Sequence, residues 1–279
     1  MATNSKASDD SSSTASTTAP PSYYGSISAN PIQYSQSFIF SFRRMKQKRA
    51  AVLSRIRDIV LAPDFTPSSL TSNVNACAAA LPAAELSNIL TQLNIEGHTA
   101  LYWAIVNNRP EAFWALEELT SWYPSDCTYD LRIACTITSD HEMFTQLYLG
   151  GRAREDRLLT GFLSCPPDEI QVHTCDELAN QFNVVLRIRM FQKRLRTTKH
   201  CYNEFVAGGR IWWLRFRMST DGIWHARIGL CRLSPPARLN AVLLIEAHSR
   251  KFSRATPPEA LKITLSLTDT KFLALAPWQ

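Results

Sequence analysis

Apolar residues fall at helical spacing through the first half of the chain and alternate with polar ones through the second, so helices followed by strands are expected. Val52, Leu53, Ile56, Ile59 and Val60 share one helical face, with Arg44, Lys48, Arg55 and Asp58 on the other, and Pro63 ends the run. This predicts a basic amphipathic helix over 38–61. Between 70 and 93, Val74, Cys77 and Ala78 lead to Leu81, and Pro82 can open a second helix carrying Leu86, Ile89 and Leu90. Over 94–119, Gly97 supplies a positive-φ turn, Thr99 a cap for the helix of Leu101, Ala104 and Ile105, and Asn107-Asn108 its end. Pro110 then fits the first turn of a helix with Phe113, Trp114, Leu116 and Leu119. Leu131-Arg-Ile-Ala134 mirrors Leu101-Tyr-Trp-Ala104 thirty residues later, so 125–149 reads as a third helix pair.

Gly150-Gly151 breaks this pattern, and 151–170, with Cys165-Pro166-Pro167-Asp168, reads as a linker. From 171 the period changes. Val184 to Met190 alternates apolar and basic, and Ile211 to Met218 puts Trp212, Leu214, Phe216 and Met218 on one face and Arg215 and Arg217 on the other. Gly208-Gly209 and Asp221-Gly222 are hairpin turns, and Trp224 to Leu230 and Ala241 to Ala247 complete at least four strands. Residues 171–279 thus form a basic antiparallel β domain. Residues 1–37, rich in Ser, Thr, Ala and Pro, lack the apolar bulk to offset ordering entropy and are expected to be disordered.

The motif Gly97-His98-Thr99-Ala100-Leu101-Tyr102-Trp103-Ala104 resembles an ankyrin repeat, whose pattern is Gly-x-Thr-Pro-Leu-His-x-Ala. Ala100 stands in place of the helix-opening proline, and Tyr102 in place of the histidine that ties neighbouring repeats. The resemblance implies a degenerate ankyrin-like stack over 70–150, with 38–61 as its cap, that binds a partner rather than catalysing. Phe205, Gly208-Gly209, Trp212 and Leu214 resemble the glycine-glycine-x-x-tryptophan-x-leucine core of MATH (TRAF-like) β-sandwiches, over roughly 182–248. Leu186-x-Ile188-x-x-Phe191 sits where such domains carry their first strand. Strands to close the sandwich are short or absent before Trp278-Gln279. The whole order also resembles a group of uncharacterised fungal ankyrin-type proteins, which supplies architecture and no biochemistry. The fold class expected is α+β in two parts, a helical hairpin stack followed by a β-sandwich-like domain.

Charge adds a second layer. The 279 residues carry a net +6, unevenly placed. Residues 38–61 hold seven bases and one acid, 62–150 two bases and ten acids, and 151–279 twenty bases and eleven acids. An acidic middle thus lies between basic flanks. The basic helix can cap the stack, lie on an anionic membrane or serve as a partner's target helix. Docking of the acidic repeats on the basic β domain is a further expectation. The longest apolar runs fall short of a membrane span, and the N-terminus lacks a signal pattern. Seven scattered cysteines without a Cys-x-x-Cys pair suit a reducing compartment, so an intracellular home, cytoplasm or nucleus, is expected.

Chemistry of sites is sparse. There is no Gly-x-x-x-x-Gly-Lys, Gly-x-Gly-x-x-Gly, Gly-x-Ser-x-Gly or His-Glu-x-x-His. His173-Thr-Cys175 and His200-Cys201 give neither the four ligands of zinc nor a base beside its nucleophile, since adjacent strand residues point to opposite faces. No catalytic residue, metal or cofactor is therefore expected. Tyr102, Trp103, Arg109 and Trp114 are candidates for the stack's binding surface, with packing as the competing role. From Arg187 to Arg217 nine bases face Glu204 alone, interleaved with aromatics. Arg187, Arg189, Arg215 and Arg217 could hold a single-stranded nucleic acid or be the solvated face of a sheet. The function expected is a non-enzymatic adaptor that binds another protein, with nucleic-acid binding by the β face as the alternative.

Overall fold

The computed structural model describes residues 34–63, 66–150, 161–174, 181–220, 222, 224–232, 234–237, 240–245, 261–266 and 273–274. The expected tail lies outside the described residues up to 33, as do 151–160 of the expected linker, Cys175, Asp221, residues 246–247 of the last expected strand, and Trp278-Gln279. The chain divides into two units, Met1–Arg44 and Met45–Gln279. Of the first, residues 34–44 are the opening turns of helix α1 (Tyr34–Leu61).

In the second unit, α1 buries Val52, Ile56, Ile59 and Val60 in a core shared with the following helices. Those helices come in pairs: α2 (Pro67–Ala80) with α3 (Ala83–Thr91), α4 (Ala100–Val106) with α5 (Pro110–Glu117), and α6 (Ser125–Thr138) with α7 (His141–Gln146). Local chemistry sets the boundaries. Pro67 and Pro110 open helices where a missing N–H costs nothing. Thr99 accepts from the Tyr102 amide at 3.0 Å, and Asp140 from the Met143 amide at 2.8 Å, capping α4 and α7. Asn108 and Ser139 turn the chain left-handed between partners, at φ 51° and 56°.

The strands are antiparallel throughout. β1 (Glu169–Thr174) pairs with β2 (Phe182–Arg187); β3 (His200–Ala207), β4 (Arg210–Met218), β5 (Trp224–Leu230) and β8 (Leu273–Ala274) lie in that order; β6 (Asn240–Ile245) pairs with β7 (Leu261–Ser266). Gly208 and Gly209, both at positive φ, make the two-residue turn between β3 and β4. Several details depart from expectation. Helix α1 begins at Tyr34, inside the tail expected over 1–37. β1 begins inside the predicted linker. The strand expected through Met190 stops at Arg187, because Met190 takes φ 49° and opens helix α8 (Phe191–Thr198). And β7, six residues long, and β8 lie beyond the last strand the sequence revealed.

Alternation decides the layers. Phe205, Ala207 and Trp212 are covered by Ile170, Val172, Phe182 and Val184 of the β1–β2 ribbon. Further along the same face, Leu214, Phe216 and Trp224 are covered by Phe191 and Leu195 of α8 and Leu243 and Ile245 of β6. On the opposite face Val206 and Ile211 enter the core of the helices. The helices and the β3–β4 hairpin therefore share one core, and the opposite face of the sheet carries two further apolar clusters. Gly97, at φ 81°, has nothing within 4 Å of where a Cβ would sit, so substitution there strains the backbone without a clash. Gly97→Val should lower stability by roughly 1–3 kcal/mol and Gly97→Asn by much less, since asparagine tolerates this region. Thermal melts of the full chain check this, and equal losses for both variants would refute the strain.

Candidate functional site

Between α3 and α4, Ile95 and His98 exchange backbone hydrogen bonds of 3.0 and 2.9 Å across a turn made by Glu96 and Gly97. This places His98 flat against Tyr102, with centroids 3.8 Å apart and planes 7° off parallel, while Trp103 meets both edge-on. From the next helix pair, the Asp130 carboxylate accepts the Thr99 amide at 2.7 Å and lies 2.6 Å from His98 Nδ1. Its side chain is 4% exposed. The link between helix pairs is thus made by Asp130, where the ankyrin pattern would have used the residue at Tyr102.

These contacts change the standing of the stack candidates. Tyr102 is buried, its phenol pushed upward first by desolvation and then by Asp130, so it is a packing residue and not a surface contact. Trp103 is half-buried, with its Nε1 donating to the Ile95 carbonyl at 2.9 Å. Arg109 is no surface hand either. Its guanidinium donates to the carbonyls of Ile59, at 2.6 Å, and Ala62, while Asn107 donates to Val60 at 2.7 Å. Together they satisfy the last carbonyls of α1, which has no base of its own in its last turn. Trp114 alone of the four is an exposed side chain, resting edge-on against Phe113.

The four arginines do not make one basic face. Arg187 and Arg189 converge on Glu169, Arg187 at 3.0 Å, and the Arg189 hydrogen bond above all holds that carboxyl below its ordinary range. Nearby, Arg194, 1% exposed, donates to both oxygens of Asp168 at 2.7 and 2.6 Å and fixes α8 to the segment before β1. Arg215 and Arg217 project from the face of β4 that Val206 and Ile211 share, opposite to the face the β1–β2 ribbon covers. In register beside them stand Tyr202 and Arg227, and His200 and His225. Trp213 on the same face lies over Gly229, where a Cβ would come within 2.4 Å of its ring. Trp212, read as a motif residue, is buried in the other layer and donates to Ala207 at 3.1 Å.

The densest set of ionisable side chains sits where helices meet strands. Arg132 of α6 donates to Glu204 of β3 at 2.8 Å and to the Leu149 carbonyl, with its guanidinium 5.3 Å over the Phe144 ring. The other Glu204 oxygen accepts from Tyr202, at 2.5 Å, and from the Cys231 thiol, at 3.1 Å. Burial first, and the Glu204 charge second, push the thiol up to about 12. Burial and the same carboxylate raise the Tyr202 phenol. A nucleophilic thiol needs the opposite environment. The cluster's chemistry is that of a fastening, every carboxylate oxygen having a donor. Cys201 is buried against Leu214 while its neighbour His200 faces the other way. Among the described residues no three His, Cys, Asp or Glu side chains gather as a metal would need, and no helix is long and apolar enough to cross a membrane.

Local spacing did not single out Asp130, Arg132 or His141 as joining residues. Spacing along α6 also sets Tyr129, Ile133 and Ile137 in one stripe, at i, i+4 and i+8. Tyr129 is 46% and Ile137 57% exposed, with Ile133 half-buried between them. No family model, curated protein or solved structure matches the chain.

His141 is the titratable member of the joint. Its Nδ1 accepts the Val206 amide at 3.3 Å, and burial holds its pKa below the usual 6.5, against the opposing pull of the Ile170 carbonyl and Asp140. A folded state that resists the proton keeps its full stability above that ordinary value and loses part of it as pH falls below. The melting midpoint should therefore drop between about pH 7 and 5.5, and His141→Asn, which keeps an acceptor but cannot ionise, should flatten that part of the profile. An unchanged slope in the variant would assign the pH dependence elsewhere.

Proposed function

We propose that the chain is a non-enzymatic interaction protein, an ankyrin-like stack carrying a MATH-like β part, and that its partner is another protein. The observation that supports this most is the link at Asp130. A carboxylate from one helix pair holds the turn and cap of the pair before it, which is how tandem repeats become one surface. The turn from Ile95 to His98 and the cap at Thr99 fit the ankyrin pattern quoted above. The β1–β2 ribbon and β6, layered on one face of the β3–β5 ladder, fit a sandwich-like reading of the second part. Such a stack offers its flanks, on which Trp114 is exposed. We place the protein inside the cell on its cysteine usage.

One observation favours a second reading, nucleic-acid binding. Arg215 and Arg217 share their face with Arg227 and with the rings of Tyr202 and Trp213, a combination that suits stacking and phosphate contact. A photo-crosslinking side chain placed at Trp114, and separately at Arg217, in the full chain tests one reading against the other. The expected result is protein adducts from position 114 that survive nuclease treatment. Adducts confined to position 217 and abolished by nuclease would replace the first reading with the second.

A further inference from the structure

The apolar stripe on α6 has a particular electrostatic setting. Residues 62–150 hold ten acids and two bases. Both bases are turned to internal work: Arg109 on the last carbonyls of α1, Arg132 on Glu204 and the Leu149 carbonyl. Of the described acids of this stretch, Asp130 is buried and Glu85 and Glu96 pair with Arg49 and Arg57, while Asp126 and Glu142, on α6 and α7, are exposed. The stripe itself is framed by acids, with exposed Asp126 one turn before Tyr129 and Asp140 and exposed Glu142 just past Ile137. Single exposed apolar side chains are ordinary on a protein surface. Three in line at i, i+4 and i+8 are the spacing by which one helix receives another.

Resting on the interaction reading above, we infer that the Tyr129–Ile133–Ile137 side of α6 is a docking site for a basic amphipathic helix of a partner protein. Its apolar residues lie along the stripe and its lysines or arginines meet the acids at both ends. Opposite charge sets the partner's sign and the speed of encounter, and the apolar stripe supplies most of the affinity.

The probe is a fluorescent helical peptide of leucine and lysine at amphipathic spacing, titrated into the full chain by anisotropy at low and high salt, beside a twin with glutamate for lysine. The lysine peptide should bind, more weakly in high salt, and the glutamate twin should not. Tyr129→Asn with Ile137→Asn should weaken binding roughly tenfold or more. Leu244→Asn, at an equally exposed apolar position on β6, should leave it unchanged. Melting midpoints report whether the variants are folded, and Ile137→Asn alone, at the more exposed position, serves if the pair is not. Equal binding of both peptides, undiminished binding to the stripe variants, or equal weakening by Leu244→Asn overturns the inference. So does a wild-type chain that self-associates through the stripe, because its occupant is then a second copy. Failure of the interaction reading itself is read separately, from the cross-linking at positions 114 and 217, in which no peptide takes part.

Discussion

Three short helix pairs share one buried core, and the chain before and after them packs into it. From one side Val52, Ile56, Ile59 and Val60 of α1 enter, with Asn107 and Arg109 of the middle pair's turn bonded to carbonyls at the end of that helix. From the other, the β3–β4 hairpin enters with Val206 and Ile211. Ser139 accepts the Gly209 amide at 2.8 Å, so the hairpin tip sits on the left-handed end of α6. That makes the β part a continuation of the helical core, and its opposite face then needs the ribbons and α8 as cover in turn.

The joint reverses the sign of the parts it connects. Residues 62–150 are strongly acidic and 151–279 basic, yet the buried pair between them has its arginine on the helices and its glutamate on the strands. Bulk attraction of opposite charges is a surface effect, screened within about 8–10 Å at ordinary salt. A buried pair answers to another rule: each charge removed from water needs a partner and a full set of hydrogen bonds. Glu204 meets this with Arg132, Tyr202 and Cys231. Net charge therefore describes what the two parts show to solvent, and the contact is set by packing, by this cluster and by the bonds of His141 and Ser139 to the β3–β4 hairpin.

The sequence carried the elements whose signals are local. Glycine at a positive-φ turn, threonine as a cap, proline in a first turn and alternation through β4 each depend on a few neighbouring residues, and each appears where those residues placed it. What it hid are relations over distance. Asp130 lies thirty-one residues from the amide it satisfies, and Asp168 twenty-six from Arg194. Helix α8 has only Phe191 and Leu195 on an apolar face among lysines and arginines, too little to announce itself. Residue type does not distinguish a side chain reaching outward from one closing an internal gap, as Tyr102 and Arg109 do.

Helix α1 shows how burial chooses among readings that a pattern leaves open. A basic amphipathic helix has one apolar face, and that face can serve a membrane surface, a partner's groove or its own protein's core. Over Val52 to Val60 it serves the core, so a lipid surface could claim that face only by pulling it out of the core. The bases on its other side meet acids of the helix pairs at the rim: Arg57 with Glu96 at 2.5 Å, Arg49 with Glu85 at 3.9 Å, all substantially exposed. Such pairs contribute about 0–1 kcal/mol each. They orient α1, and the four buried aliphatic side chains hold it. The same logic runs the other way on α6, where Ile133 leans on the core while Tyr129 and Ile137 on either side of it remain exposed.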